Sequence, residues 1–330
     1  MKNHVPNIVP VFCYAGVCGS GRLRSRANAL PFAGLSMSGF QKFSTGLSII
    51  CDYYILYMIF NSFLTRKGVF RMSPWNLAKT NYGTIKKHHY EVAVLPLCAT
   101  EPHNLHLPYS TDTIEGTTVG ERACEAAWNA GAKVILLPSL PYGTETNLEK
   151  FPFAMNLNPL TVFQVITDLS ESLVQSGVKK IVLLNSHGGN EFKSFLRQIY
   201  GKSEARFFLC NWYQIFQDVY HEIFEEIDDH AGEMETSMIL ATNPELVGKD
   251  KQGNLTADDG ARKPTRFEAV NRGWVSITRP WHLFTTNAGA GYPHRATAEK
   301  GEKVFQRITE RLAAFLVELA ASPLDEKFPY

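Results

Sequence analysis

The chain has 330 residues, 45% hydrophobic and 20% charged, a balance that suits a globular protein with one sizeable core or two modest ones and excludes a low-complexity polymer. Its formal net charge of +1 supplies no global field for nucleic acid or an anionic membrane, so a small neutral or mildly polar substrate is the expected partner. A chain of this size is expected to fold without disulfides, and of its 6 cysteines three lie before residue 72 while Cys98, Cys124 and Cys210 stand singly in or beside apolar runs without CxxC spacing, so reduced, mostly buried thiols in a cytoplasmic body are the expectation.

The charge is unevenly spread. Residues 1–71 hold eight Lys/Arg and a single acid, Asp52, so the rest of the chain is net acidic. Within this leader, residues 46–64 (GLSIICDYYILYMIFNSFL) are the only candidate membrane segment. The run is barely long enough to span, and Asp52 inside it would cost roughly 3 kcal/mol at the centre of a bilayer. The stretch GSGRLRSRANAL also resembles a targeting peptide. The leader is read as lying outside the mature fold, with the domain occupying residues 72–330 and no membrane attachment.

Residues 91–97 (EVAVLPL) read as a buried strand, and the loop EPHNLHLPYSTD follows it. A helix is expected from about residue 117 to 130, stopped by Gly131, then a strand at 133–137 (KVILL) closed by Pro138. The next helix, 159–176, places Pro159 in a tolerated first-turn position and stops at Gly177. A strand at 180–184 (KIVLL) opens into NSHGGN, followed by a helix at 191–200 and a strand at 206–210. A helix over 230–241, an irregular Gly- and charge-rich region over 248–286 and a terminal helix over 295–320 complete the chain. Strands alternating with helices at roughly 40-residue spacing predict an α/β protein, a three-layer α/β/α sandwich on a mostly parallel sheet.

Three clusters carry chemistry. Glu101, His103, His106 and Asp112 fall in the loop after the first strand, where open parallel sheets place their ligand crevice. Carboxylates and imidazoles are the donors that zinc, manganese or iron accept, although a polar loop whose histidines bond backbone would look the same. His187 stands beyond another strand; Gly188 and Gly189 let backbone approach a ligand, and Asn190 can cap the next helix. A phosphate site is the weaker reading there, since neither GxGxxG nor GxxxxGK occurs. The third cluster is HAGEMETS, from His230 to Ser237, preceded by Asp228 and Asp229. Glu233 and Glu235 point to different faces of a helix, so one of them can serve a site at close range. Two acids at a helix start also suit its dipole whatever the function.

Together EPHNLHLPYSTD, NSHGGN and HAGEMETS, in this order, resemble the creatininase (creatinine amidohydrolase) family, and GAGYPHRATAEKGE at 289–302 looks like that family's closing segment. The resemblance covers about residues 90–320. It implies that Glu101, His103, Asp112 and His187 are metal ligands, with Asp112 bridging two divalent ions (Zn, Mn or Fe). The family's further carboxylate, two positions after the second-cluster His, falls here on Gly189; Glu235 is taken in its place, with Glu191 and Glu233 behind it. His230 matches a residue for substrate binding and proton transfer, Glu233 is the reserve catalytic group, and Gly188 and Asn190 are assigned to substrate. The implied reaction is hydrolysis of a C–N bond in a cyclic amide, lactam or formamide by water that two metal ions activate. Relatives also act on cyclised sugar ketones and peptide tails. Gly188 where creatininase has an aromatic residue, Glu226-Ile227 in place of Trp-Asp, and Phe151-Pro152-Phe153-Ala154 in place of Phe-Pro-Gly-Thr make creatinine itself an unexpected substrate. A homo-oligomer, a hexamer among the options, is also implied. A metal-binding protein without catalysis and a nucleotide-binding enzyme on the same sheet are the competing classes.

Overall fold

Residues 72–330 are described by the structure, a computed structural model. The leader, its candidate membrane segment and the targeting-like stretch lie outside the described residues. Four apolar runs form strands β1 (Val92–Leu97), β2 (Val134–Leu136), β3 (Lys180–Asn185) and β4 (Arg206–Asn211), all paired in parallel in the order β2-β1-β3-β4. Ala93 stands beside both Ile135 and Ile181, and Leu97 beside Asn185. β1 and β3 are buried along their whole length. Helices cover both faces, which is why these strands read as continuous apolar runs rather than as alternating ones.

Five principal helices follow: α1 (Thr111–Asn129), α2 (Pro159–Gln175), α3 (Lys193–Ile199), α4 (Glu233–Thr242) and α5 (Ala298–Ala321). Val92, Val94, Val182 and Leu184 face one side of the sheet and pack with Val119 and Ala123 of α1 and with α5. Leu95, Leu97, Ile181 and Leu183 face the other side, against Val162, Phe163 and Ile166 of α2 and Phe195 of α3. The sandwich predicted from the strand and helix rhythm is the observed architecture. Val304, Ile308, Leu312, Leu316 and Leu319 form the buried stripe of α5, and each such side chain contributes about 1.5–3 kcal/mol when fully buried.

Several boundaries differ from the sequence reading. α1 begins six residues before the expected start, because Thr111 bonds back to the Pro108 carbonyl through both its N–H and its hydroxyl and so begins the helix within a run that reads as a polar loop. Asp112 thereby sits in the first turn, where the helix dipole favours a carboxylate. α3 starts at Lys193, and Asn190 does not cap it. α4 starts at Glu233 rather than at His230. Ala231 adopts φ 51, and His230 pairs instead with Ala290 in an antiparallel bridge. The 248–286 region is irregular apart from one-turn helices at Glu268–Asn271 and Trp281–Phe284. Among the described residues, no helix is long and apolar enough to cross a membrane.

Candidate metal centre

The carboxyl ends of β1 and β3 and the starts of α1 and α4 converge on one buried cluster. Glu101, from the loop after β1, is 2% exposed, and its Oε1 lies 3.0 Å from His187 Nδ1, 3.7 Å from His230 Nδ1 and 4.0 Å from His103 Nε2. Asp112 divides its carboxylate: Oδ1 is 3.1 Å from His103 Nε2, and Oδ2 is 3.1 Å from His187 Nδ1. Glu235 Oε2 lies 3.9 Å from the same His103 nitrogen and accepts a hydrogen bond from the Ala231 N–H at 2.5 Å.

Each of the three imidazoles is held the same way, by donating its other ring nitrogen to a main-chain carbonyl. His103 Nδ1 bonds the Glu101 oxygen at 3.0 Å, His187 Nε2 the Thr144 oxygen at 3.1 Å and His230 Nε2 the Pro102 oxygen at 3.0 Å. An outer bond of this kind sets tautomer and ring orientation, leaving the remaining nitrogen free as a donor into the cluster. His230 is further braced by Trp281, whose ring stands edge-on at 5.0 Å.

The donor atoms fall into three-residue groups: Glu101–Asp112–His187, His103–Asp112–Glu235 and Glu101–His103–His230, each within 4.8 Å of one another. Glu101 Oε2 has no hydrogen-bond partner although buried, and the same holds for both oxygens of Glu115 and Glu145 nearby. Anionic oxygens left unpaired at this depth are strongly unfavourable unless a cation or a proton answers them. The residues present therefore fit divalent metal, in number, donor type and unmet charge.

Protons take up the same charge when no metal is present. Burial disfavours the His103 imidazolium, but the bond to Asp112 and the carboxylates of Asp112, Glu235 and Glu101 outweigh it and push His103 up to about 10. His187 is likewise raised well above the usual imidazole range, burial being outweighed by Glu101 and Asp112. Glu101 is held well below the carboxylate range, since His187 and His230 overcome its burial. Burial, then the charges of Glu235 and Asp112, push Glu115 far up. The thiols of Cys98, Cys124 and Cys210 are raised by burial and offer no nucleophile.

Glu101, His103, Asp112, His187, Glu235 and His230, all singled out from sequence, meet in this centre. Gly188 lines the adjoining cavity of about 550 Å³, a volume suited to a small molecule. Three other residues stand elsewhere. Glu233 points away from the cluster and pairs with Lys300 of α5, so its placement does not suit a catalytic role. Asn190 faces inward, bonding Asn185 and accepting from the Thr144 N–H at 3.1 Å, which makes it a brace for a loop rather than a substrate contact. His106 is buried but bonds Thr236 at 2.7 Å and joins no donor group. Glu191 lines the cavity yet is exposed. Sequence reasoning passed over Glu115 and Glu145. The signal available for Glu145 was its place in YGTETN, in the loop that follows β2.

A parallel sheet clothed by helices on both faces, with a carboxylate and imidazole centre at its carboxyl edge, defines an α/β protein built to hold metal. The Creatininase family model, described as creatinine amidohydrolase, matches residues 77–316, and the chain belongs to the creatininase family, whose members are hydrolases. The mycofactocin precursor peptide peptidase of Mycobacterium ulcerans (strain Agy99) is 24% identical over 243 residues, 70% of this chain and 86% of its own. Creatinine amidohydrolase of Pseudomonas putida is 27% identical over 180 residues, 48% of this chain and 67% of its own. A solved candidate creatinine amidohydrolase from Bacteroides fragilis NCTC 9343 is 35% identical with a TM-score of 0.70, covering 77% of this chain and 100% of that one. The fold is also that of a mutant creatininase of Zn-Zn type (21% identity, TM-score 0.61, 75% of this chain and 98% of that one) and of a Mn creatininase (22%, 0.56, 75% and 99%).

Proposed function

We propose that this chain is a metal-dependent amidohydrolase that cleaves a C–N bond in a small cyclic amide, lactam or formamide, with two divalent ions, zinc or manganese foremost, as cofactors. The observation that carries this reading is that two of the three donor groups share Asp112, whose two oxygens face different histidines. A shared carboxylate is a means of holding two ions about 3.5–4 Å apart.

When bound, such a pair supplies a water acidic enough to ionise near neutrality and polarises a carbonyl oxygen. The chain's own residues hold and move the remaining groups. His103 and His187 serve as neutral donors, each with its one N–H committed to main chain. His230 is the proton carrier: with Nε2–H held on the Pro102 oxygen, Nδ1, the atom facing Glu101, would accept the proton that the attacking water gives up and return it to the leaving nitrogen as the C–N bond breaks. A Cβ at Gly188 would meet nothing within 4 Å, so the substrate has room beside His187 that an aromatic residue would fill. That room also favours a second reading, cleavage of a peptide amide, in keeping with the peptidase relative.

Purified protein should hold two divalent ions per chain by mass spectrometry. It should turn over at least one compound in a panel of lactams, formamides and short peptides, losing activity on chelation and regaining it with metal. A protein that binds no divalent ion, or that stays fully active after chelation, would overturn the reading.

A further inference from the structure

The turn after β2 carries a buried acid that no sequence motif singled out. Glu145 is 0% exposed, and neither of its carboxylate oxygens has a hydrogen-bond partner. The backbone around it is fixed from three directions. Thr144 N–H donates to Asn190 Oδ1 at 3.1 Å, Glu145 N–H donates to Asn156 Oδ1 at 2.7 Å, and the Thr144 carbonyl accepts from His187 Nε2 at 3.1 Å. The turn that aims His187 therefore also presents Glu145.

Its carboxyl neighbours that of Glu101 and the ring of His187, just outside the three donor groups, so an ion held by Glu101 and His187 is within reach of a small movement of its side chain. Two buried carboxyl groups at such range, without Lys or Arg paired to either among the described residues, cannot both stay ionised unless a proton or a metal ion stands between them. The two halves of the centre are also unequal. His103–Asp112–Glu235 includes a carboxylate used by that half alone. In the Glu101–Asp112–His187 half, the position two residues past His187 is Gly189, where a Cβ would come within 2.3 Å of His187 Nε2 and 2.6 Å of the Thr144 oxygen. No side chain can enter from there, because the His187 ring and the Thr144 carbonyl already occupy the space. Glu115, the other acid with both oxygens unpartnered, stands one turn along α1 from Asp112, beside Glu235, where the carboxylate set is already filled.

We infer that Glu145 is a metal ligand, supplying to the Glu101–Asp112–His187 half of the centre the carboxylate that position 189 cannot. The inference rests on the two-ion reading above, and it moves one ligand from the turn after β3 to the turn after β2. In the metal-free protein a proton takes the place that the ion would fill.

The test compares wild type with Glu145→Gln, which keeps size and shape, and with Glu145→Ala. Each is loaded with Zn or Co, freed of excess, and read by metal content, by chelator competition and by the visible spectrum of the Co form. Wild type should hold two ions per chain and both variants one, or the second ion should weaken by well over ~100-fold, beyond the ~10- to 100-fold that loss of an outer-shell partner causes. The Co spectrum should lose the bands of one site. Metal-free Glu145→Gln should melt no lower than metal-free wild type, because an unpartnered buried acid has been removed, while the rise in melting temperature on adding metal should shrink. Two ions retained with unchanged or only outer-shell weakening, or a metal-free variant that melts lower, would overturn the assignment and leave the two-ion reading intact. Wild type holding fewer than two ions would overturn both.

Discussion

At the residue scale, the centre is organised by which atom of each side chain is already committed. His103, His187 and His230 each spend one nitrogen on a carbonyl, so their roles depend on what the other nitrogen faces. Asp112, facing both halves, should be indispensable to metal: Asp112→Ala should lose both ions and activity together, read by mass spectrometry beside kcat. His230→Gln should keep the metal and lower turnover by about 10² to 10⁴, the usual worth of a placed acid or base. A His230→Gln protein that arrives short of one ion would make His230 a ligand instead. The pH dependence of the metal-free protein has a definite sign. Because His103 is raised to about 10 from an unfolded value near 6.5, its contribution to stability is complete below ~pH 6.5 and is lost as pH rises through 10. The urea midpoint of metal-free protein should fall across that window. Metal uptake at pH 8 should also release protons, since a ligating imidazole must be neutral. Calorimetric binding heats that do not change with the buffer's ionisation enthalpy would contradict this.

At the scale of elements, the centre depends on α4, which carries Glu235 into the cluster and turns Glu233 toward Lys300. α4 lies close against α5, and Gly301 is what permits the approach: a Cβ there would stand 2.1 Å from the Ser237 carbonyl oxygen. Gly301→Ala should push the helices apart at a cost of about 1–3 kcal/mol, seen as a lower melting temperature. It should also loosen metal on the His103–Asp112–Glu235 side, because Glu235 moves with its helix. A variant with lowered stability but unchanged metal affinity would show that α4 positions Glu235 less tightly than this contact implies. Helix existence and order were legible from apolar spacing and Gly stops. The starts of α1 and α4 were not, because the first depends on Thr111 bonding Pro108 and the second on a bridge between His230 and the distant Ala290.

On the scale of the whole molecule, every residue of the centre lies beyond position 72. A chain beginning at Met72 should keep the metal content and melting temperature of the full chain; loss of either would give residues 1–71 a part in the fold. The same shortened chain is expected to form a homo-oligomer by light scattering. Phe267, Trp274, Ile277 and Leu283 are 50% exposed or more, and Ile277 borders the cavity, so a second copy has apolar surface to cover beside the site. A monomer at working concentration would end that expectation.

The sequence by itself determined the strand and helix order, the parallel sheet, and the three clusters that supply Glu101, His103, Asp112, His187, His230 and Glu235. Each of these rests on a local pattern, a run of apolar residues or ligands spaced within a dozen positions, and local patterns survive without knowledge of the fold. Tertiary structure alone decided which acids face the centre. Glu233 is claimed by Lys300, Asn190 by the loop of Thr144, and Glu145 is brought beside Glu101 and His187, all by contacts across tens of residues. A carboxylate's role depends on the charge it meets, and that charge lies elsewhere in the chain.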